Sequence, residues 1–331
     1  MGLTTPKLSS IILKSFKKIL ADRDSMPFNE FLSWALYDPD HGYYQKKKIR
    51  VGKGMENDFY TSTSLGSLWG ELILNASLHL LGNRNPDEYT FVEIGAEPNS
   101  SIFDGIQQPF FEHRIIRLGD PIKIPSKSVV YSNEWLDAQP FQRFQFVEDQ
   151  SKWAEVFVGE QDGQLIEIKK EKLNSHPCPL PTSAPNGYLI DWPSGSIESM
   201  NRLLSQDQWM GVFITFDYGL DRRTIFHDRP EGTARAYRKQ KMTTNLLEDP
   251  TEKDITCHLC WDDLQETLHR YGFENISLQT QESFLMKNSQ QAIQNVFQTS
   301  SSFDPQMLAL RELIHPAHLG HGLQALSAVK F

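Results

Sequence analysis

The 331-residue sequence has little cysteine and no long apolar stretch. Its three cysteines, Cys178, Cys257 and Cys260, are too few and odd in number for a disulfide framework, which favours a reducing, cytoplasmic compartment. No apolar run approaches the roughly 20 residues that a membrane-spanning helix needs, so we expect no membrane insertion. Basic side chains are also in deficit, with 33 against 42 acidic ones and a net charge of -9. This balance disfavours nucleic acid as a partner and suits a basic protein better.

Several catalytic and metal-binding motifs are missing as well. There is no G-x-S-x-G elbow and no G-x-x-x-x-G-K-[ST] loop, which excludes the commonest hydrolase and NTPase sites. Cys257 and Cys260 flank His258 like half of a zinc site. No second C-x-x-C follows, however, and the string ITCHLCW alternates as a strand does, so we predict no metal site.

Helical periodicity is concentrated in the first 85 residues. Apolar side chains recur at helical spacing over residues 8–20 and 27–36, and a third helix is predicted with Ser64 as its N-cap and Gly82 at its end. From residue 89, short apolar runs end in glycine, acidic or amide residues, as parallel strands of an α/β sheet do; they include YTFVEIG, HRIIRLGD, SVVYSNE and GVFITFDYG. Alternating runs indicate an antiparallel β insertion at about 141–190. We therefore predict a helical N-terminal lobe over residues 1–85 and an α/β core over 86–331.

The string FVEIGAEPNSS predicts a strand, then a turn into a helix that could bind a ligand. Only Gly95 is in place; Glu97 and Asn99 occupy the later positions of a G-x-G-x-G loop. Glu97 would repel a pyrophosphate but attract a cationic sulfonium, which favours S-adenosylmethionine over a nicotinamide nucleotide. An ordinary turn that binds nothing is the alternative.

Acidic and amide residues follow three further predicted strands. Asp120 is a candidate for binding the ribose hydroxyls, or is simply a turn aspartate before proline. The string SNEWLDAQPF brings Asn133, Glu134 and Asp137 to a strand end, where they could orient a cationic nucleophile and accept its proton. The string FDYG follows another predicted strand, so we expect Asp217 and Tyr218 at the same edge of the sheet. The basic run GTARAYRKQK is either a solvated face or a docking surface.

In this order, the strings resemble the MidA-like family of S-adenosylmethionine-dependent methyltransferases, which includes mitochondrial complex I assembly arginine methyltransferases. The resemblance spans residues 27–287, and its carriers are FNEFLSWALYDPDHGYY, NDFYTSTSLGSLWGELI, FVEIG, SNEWLDAQPF, ITFDYG, GTARAYRKQK and EDPTEKDIT. It implies a class I, Rossmann-like sheet, S-adenosylmethionine bound over the turn of the first strand, and an arginine side chain of a protein as acceptor.

The resemblance also implies roles for individual residues. The implied cofactor contacts are Asp58, Thr61, Glu93, Gly95 and Asp120, with Asn133 and Glu134 between cofactor and substrate. Asp137, Asp217 and Tyr218 would line the acceptor side. Where the family has E-x-G-x-G-x-G, this chain has lost two glycines over residues 93–99. A non-catalytic binding or assembly factor of the same fold is therefore the alternative, and a homodimer is compatible with the sequence.

Overall fold

The computed structural model describes residues 8–46, 50, 52, 58, 62–150, 152–171, 180–206, 209–315 and 322–331. The strands are β1 (Ser25–Pro27), β2 (Thr90–Ile94), β3 (Glu112–Ile116), β4 (Lys127–Asn133), β5 (Gln142–Val147), β6 (Lys152–Gln161), β7 (Gln164–Glu171), β8 (Leu189–Trp192), β9 (Met210–Asp217), β10 (Gly219–Leu220), β11 (Arg235–Arg238), β12 (Lys241–Thr243), β13 (Asp254–Thr256), β14 (Leu259–Cys260), β15 (Glu274–Thr280) and β16 (Gln324–Lys330). The α-helices are α1 (Ser10–Leu20), α2 (Phe28–Tyr37), α3 (Ser67–Leu81), α4 (Ser194–Leu204), α5 (Arg222–His227), α6 (Trp261–Arg270), α7 (Gln281–Asn288), α8 (Gln290–Thr299) and α9 (Pro305–Ile314).

A six-stranded mixed sheet forms the centre of the fold, in the order β15-β16-β9-β4-β2-β3. Strands β3, β2, β4 and β9 are parallel, whereas β16 is antiparallel to both β9 and β15. The chain passes from β2 to β3 on one side and then crosses to β4 on the other side of β2. Ligands of open α/β sheets bind beyond the carboxyl ends of the strands at such a reversal.

Both faces of this sheet are covered by helices, because its parallel strands are apolar on both sides. On one face, Val129 and Tyr131 of β4 pack in a cluster with α3, α7, α8 and α9. On the other face, Val130 packs in a cluster with α4 and α6. Strand β4 therefore alternates its side chains between two cores, which fixes its register and the direction in which its last residues point.

The predicted antiparallel strands are present as a second sheet. Strand β6 pairs with β7 along one edge and with β5 and β1 along the other, and β8 pairs with β5. Helices α1 and α2 pack against this sheet through Phe16, Phe28 and Phe31. Helix α3 packs on the central sheet instead. The division of the chain at residue 85 stays a prediction.

Two local expectations were wrong. The turn after β2 does not enter a helix: residues 95–111 contain only turns and bends. Pro98 and Pro109 each lack a backbone donor, and Gly105 has a positive φ of 76°, so the segment has few helix-forming residues. Ser64 does not cap α3, because it lies in a 3-10 turn over Ser62–Leu65 and Gly66 is the N-cap.

Candidate active site

A cavity of about 1850 Å³ lies at the carboxyl ends of β2, β3 and β4. One wall contains the segments that follow these three strands. The lining also includes the end of α2 and residues after it, together with residues of the paired strands β11 and β13. The cavity therefore lies where the strand order predicts a ligand site.

The turn after β2 forms the floor of the cavity. Glu93 is buried, and its two carboxylate oxygens lie 3.0 and 3.1 Å from the backbone nitrogen of Ile102, which donates to them. Gly95 has a φ of +80°, and a Cβ atom there would lie 3.1 Å from Cδ1 of Trp135. A side chain is thus disfavoured at this position by the positive φ and by the close contact with Trp135, and Gly95 presents its backbone to the cavity.

The turn after β3 carries Asp120 at the cavity wall. Its Oδ2 accepts a hydrogen bond of 2.9 Å from the backbone nitrogen of Arg117, so the carboxylate stabilises its own turn. The Arg117 guanidinium donates to the carbonyl oxygens of Glu97 and Ser100 and holds the neighbouring turn. Asp120 combines the geometry of a turn aspartate with access to the cavity, and its role in ribose binding stays a prediction.

The end of β4 places Asn133 and Glu134 in the cavity wall. Glu134 has a φ of 47°, a left-handed conformation that non-glycine residues rarely adopt, and its backbone nitrogen donates to the carbonyl of Phe216 at 2.9 Å. Asn133 Nδ2 donates to Glu134 Oε1 at 3.0 Å, while the buried Asn133 Oδ1 has no partner in the described part of the chain. Strain of this kind is concentrated at functional sites.

Burial, followed by the negative charge of Asp217, raises the pKa of the Glu134 carboxyl to about 8. Burial also raises the pKa of Asp137 well above its usual range, again reinforced by Asp217. Both carboxyls line the cavity. Glu134 therefore exchanges its proton close to neutral pH, which suits a group that takes part in proton transfer.

Asp217 does not line the cavity, contrary to expectation. Its side chain is fully buried, and Oδ2 accepts from the backbone nitrogens of Leu136 and Asp137 at 3.0 and 3.3 Å. Oδ1 accepts from the backbone nitrogen of Tyr218 at 2.8 Å. These donors turn the carboxylate inward, so Asp217 positions the loop that carries Asp137. Burial raises the pKa of Asp217 to about 7 against the opposing effect of these hydrogen bonds.

Tyr218 does line the cavity, next to the acidic groups. Burial, followed by the negative charges of Glu134 and Asp137, raises the pKa of its phenol. The phenol thus stays protonated and can act as a hydrogen-bond donor within the cavity. Its predicted position on the acceptor side remains untested.

Asp254 and Tyr44 also face the cavity, although the sequence did not single them out. The Tyr44 hydroxyl donates to Asp254 Oδ1 at 2.7 Å, and burial raises the pKa of Asp254 to about 7. The Tyr44 ring stacks on Tyr37 with centroids 5.3 Å apart, and the Tyr37 hydroxyl donates to the carbonyl of Ala138. In the sequence, Tyr44 and Asp254 were present only within the strings HGYY and EKDIT, which belong to the family resemblance.

Asp58 lies at the cavity edge and joins two segments. Its Oδ2 accepts from the Tyr43 hydroxyl at 2.6 Å, and its Oδ1 accepts from the backbone nitrogen of Lys239 at 2.8 Å. Asp58 thereby fastens the chain after α2 to the turn between β11 and β12. Thr61, the other predicted contact from this region, lies outside the described residues.

The acidic end of the cavity contains carboxyl groups that have no ion-pair partner. Within the described ranges, no lysine or arginine forms an ion pair with Glu134, Asp137 or Asp254, which line the cavity, or with Asp217 behind them. Buried carboxyl groups that lack cationic partners destabilise the charged form, as their raised pKa values show. A cation that enters the cavity would offset this cost.

The described residues contain neither a group of metal ligands nor a membrane-spanning helix. Among them, no three side chains of histidine, cysteine, aspartate or glutamate are placed to hold a metal ion. None of the helices in this part of the chain is long and apolar enough to cross a membrane.

The sequence of this chain is similar to those of known proteins. A family model described as an S-adenosyl-L-methionine-dependent methyltransferase matches residues 74–278. A Caenorhabditis elegans protein, "Protein arginine methyltransferase NDUFAF7 homolog, mitochondrial", is 27% identical over 301 residues, covering 72% of this chain and 68% of that protein.

Two solved structures from Burkholderia thailandensis have the same fold. A COG1565 superfamily member bound to S-adenosyl-homocysteine has a TM-score of 0.80 and 17% identity, over 99% of this chain and 95% of its own. A native crystal structure of a protein of that superfamily has a TM-score of 0.77, with the same identity and coverage.

Proposed function

Because this chain belongs to the MidA-like family of S-adenosyl-L-methionine-dependent methyltransferases, we propose that it transfers a methyl group to an arginine side chain of a protein. We also propose that its central sheet is the class I methyltransferase sheet. The parallel strands β3, β2, β4 and β9, extended by antiparallel β16, support this assignment. The nematode relative, named a protein arginine methyltransferase, supports the arginine acceptor.

The floor of the cavity fits the cofactor. S-adenosylmethionine supplies a methyl group on a positively charged sulfur. Gly95 presents bare backbone to the cavity, and Glu93 and Asp120 also line it. The Oδ1 of Asn133, which has no partner among the described residues, can accept a hydrogen bond from the cofactor. Acidic and amide groups around an open backbone turn suit a cationic ligand that carries ribose hydroxyls.

The single observation that carries the arginine proposal is the cluster of carboxyl groups without cationic partners at the end of β4. Glu134, Asp137 and Asp254 reach the cavity from different segments of the chain. A guanidinium offers five donors in one plane and can contact several carboxylates at once, whereas an ammonium is a compact point charge. The arrangement therefore favours arginine over lysine as the acceptor.

The carboxyl groups have two roles in the reaction. Glu134 and Asp137 hold the guanidinium so that one nitrogen faces the methyl group, and positioning of this kind can supply a large share of the rate. As the N–C bond forms and the S–C bond breaks, the nitrogen loses a proton. The positive charge of the bound guanidinium favours the charged form of the Glu134 carboxyl, so in the complex Glu134 is a carboxylate and accepts this proton.

Asp217 and Tyr218 have supporting roles in this reaction. Asp217 fixes the backbone of Leu136 and Asp137 and is a positioning residue, because it does not reach the cavity. Tyr218 faces the cavity as a hydrogen-bond donor. The proposed partner is thus an arginine-bearing protein; a homodimer and a cytoplasmic location stay predictions.

Transfer of a radiolabelled methyl group tests this proposal. The purified protein is incubated with methyl-labelled S-adenosylmethionine and a library of arginine-bearing and lysine-bearing peptides, and the products are hydrolysed to amino acids. We expect labelled methylarginine, and at least a tenfold slower transfer by Glu134→Gln. Glu171→Gln is the matched control, because Glu171 is exposed and, within the described residues, forms its ion pair with Lys152 of β6.

Each other outcome rejects a definite part of the proposal. Labelled methyllysine would reject arginine as the acceptor. Equal rates for Glu134→Gln and the wild type would reject the role of Glu134. Saturable cofactor binding without any transfer would favour a non-catalytic binding or assembly factor, an alternative that rests on the glycine positions now occupied by Glu97 and Asn99.

A further inference from the structure

Arg50 is one of the most deeply buried charged residues beside the cavity. Its residue exposure is only 2%, and it lines the cavity wall. The guanidinium carbon lies 5.5 Å from the ring centre of Tyr43 and 5.3 Å from that of Tyr44. Nη2 donates to the carbonyls of Tyr44 and Lys46 at 2.5 and 3.1 Å. The surrounding rings and carbonyls hold the charged group rigidly in one place.

Glu97 is the only described carboxylate that pairs with this guanidinium. Nη1 of Arg50 lies 3.0 Å from Oε2 of Glu97. Glu97 belongs to the turn after β2, where the sequence would otherwise present a glycine to the cofactor, and its side chain is 33% exposed. The pair thus joins the segment after α2 to the floor of the cavity, with a buried cation on one side and a more accessible anion on the other.

The guanidinium is not fully satisfied by these contacts. Its Nε is buried and has no hydrogen-bond partner among the described residues. A buried donor without a partner costs free energy, and a buried arginine prefers a carboxylate that it can contact through two nitrogens at once. Arg50 therefore has the capacity to bind a further carboxylate at the edge of the cavity.

We propose that Arg50 and Glu97 together bind the amino-acid end of S-adenosylmethionine: Arg50 takes its carboxylate, and Glu97 takes its ammonium group. The inference rests on the methyltransferase function and not on arginine as the acceptor. The amino-acid end of the cofactor carries one positive and one negative charge, so its carboxylate can bind the unpartnered Nε of Arg50 while its ammonium group binds the more accessible carboxylate of Glu97. Glu97 then replaces a glycine of the turn with a binding group.

Binding of two product-like nucleosides tests this assignment. S-adenosylhomocysteine carries the amino-acid end, whereas 5′-methylthioadenosine lacks it and keeps the adenine and ribose. Calorimetry measures both dissociation constants for the wild type, Arg50→Met and Glu97→Gln. We expect Arg50→Met to weaken S-adenosylhomocysteine binding by about 10- to 100-fold and Glu97→Gln by about 3- to 10-fold. Both variants should change 5′-methylthioadenosine binding by less than about twofold.

Arg114→Met is the matched control, because Arg114 is partly exposed on β3 and pairs with Glu112 of the same strand. It should leave both dissociation constants unchanged. Glu97 lies in a partly exposed turn, so Glu97→Gln retains the test if Arg50→Met does not fold.

The outcomes separate the two proposals. Equal weakening of both nucleosides by either variant would mean that the pair only shapes the turn, and would overturn the inference. Stronger S-adenosylhomocysteine binding by Glu97→Gln would overturn the assignment of Glu97 to the ammonium group. If the wild type binds neither nucleoside, the cofactor assignment fails together with this inference. Failure of methyl transfer to arginine, with the expected binding pattern intact, would affect the proposed function alone.

Discussion

Replacing Glu134 with glutamine should stabilise the ligand-free protein at alkaline pH and leave its stability unchanged at acidic pH. Burial, followed by the charge of Asp217, raises the pKa of Glu134 from 4.5 to about 8. Between these two pH values the folded protein keeps a proton that the unfolded chain releases. The wild-type protein therefore loses stability as the pH rises from about 4.5 through about 8. Glutamine has the same shape and no charge, so this loss is absent from the variant.

The size of the effect follows from the two pKa values of Glu134, 4.5 and about 8. At about 1.4 kcal/mol for each tenfold change in the proton-binding constant, the upper bound is about 5 kcal/mol. The carboxyl is partly exposed to the cavity, where water screens its charge, so we expect about 2–3 kcal/mol above pH 8. At pH 4 the wild-type side chain is protonated in both states, and the difference should be near zero.

Urea unfolding at intervals between pH 4 and pH 9, followed by circular dichroism, measures this difference. The free energy of unfolding of Glu134→Gln minus that of the wild type should increase with pH. Glu171→Gln serves as the control, because Glu171 is exposed beside Lys152 and should give a small, pH-independent difference. A difference that is constant with pH, or that falls as the pH rises, would refute the argument that Glu134 is held protonated by its surroundings.

The remaining predictions concern residues that shape the site, and urea unfolding at pH 7 measures them all. Gly95→Ala puts a side chain in a left-handed turn and 3.1 Å from Trp135, so a loss of about 1–3 kcal/mol is expected; an unchanged midpoint would contradict it. Asp191→Asn removes the charge paired with the buried Arg143 guanidinium at 2.7 Å, with an expected loss of about 2–4 kcal/mol, whereas a loss below about 1 kcal/mol would show that the pair matters little. Asp217→Asn leaves one acceptor oxygen for three backbone donors and should lower the free energy of unfolding by about 1–3 kcal/mol. An unchanged free energy of unfolding would contradict this prediction.

The sequence predicted the parallel strands of the central sheet, because each is a short apolar run bounded by turn residues. Strand β4 is an example: its buried run ends at Asn133, and Glu134 follows in the cavity wall, as the string SNEWLDAQPF indicated. Local pattern was sufficient here because the carboxyl end of a parallel strand points towards the ligand side whatever follows it.

The rest of the site depends on contacts that no local pattern encodes. The hydrogen bond between Tyr44 and Asp254 joins residues 210 positions apart, and neither has a neighbour in sequence that signals the other. Asp217 was expected at the cavity because it ends a strand, but three backbone donors from its own loop and the next turn it inward. The orientation of a strand-end carboxylate thus depends on which N–H groups surround it, and these are known only once the loops are placed.

The position of β16 has a consequence for the order in which the protein folds. This strand, Gln324–Lys330, lies between β9 and β15 and pairs with both. The edge of β9 thus stays open during synthesis until more than a hundred further residues have been added, and β15 has no partner on the central sheet until then. The pairing of β16 with β9 and β15 is therefore a late, long-range step of folding. Until that step, the exposed edge of β9 can pair with other chains, so a chaperone that covers it would protect the nascent chain from aggregation.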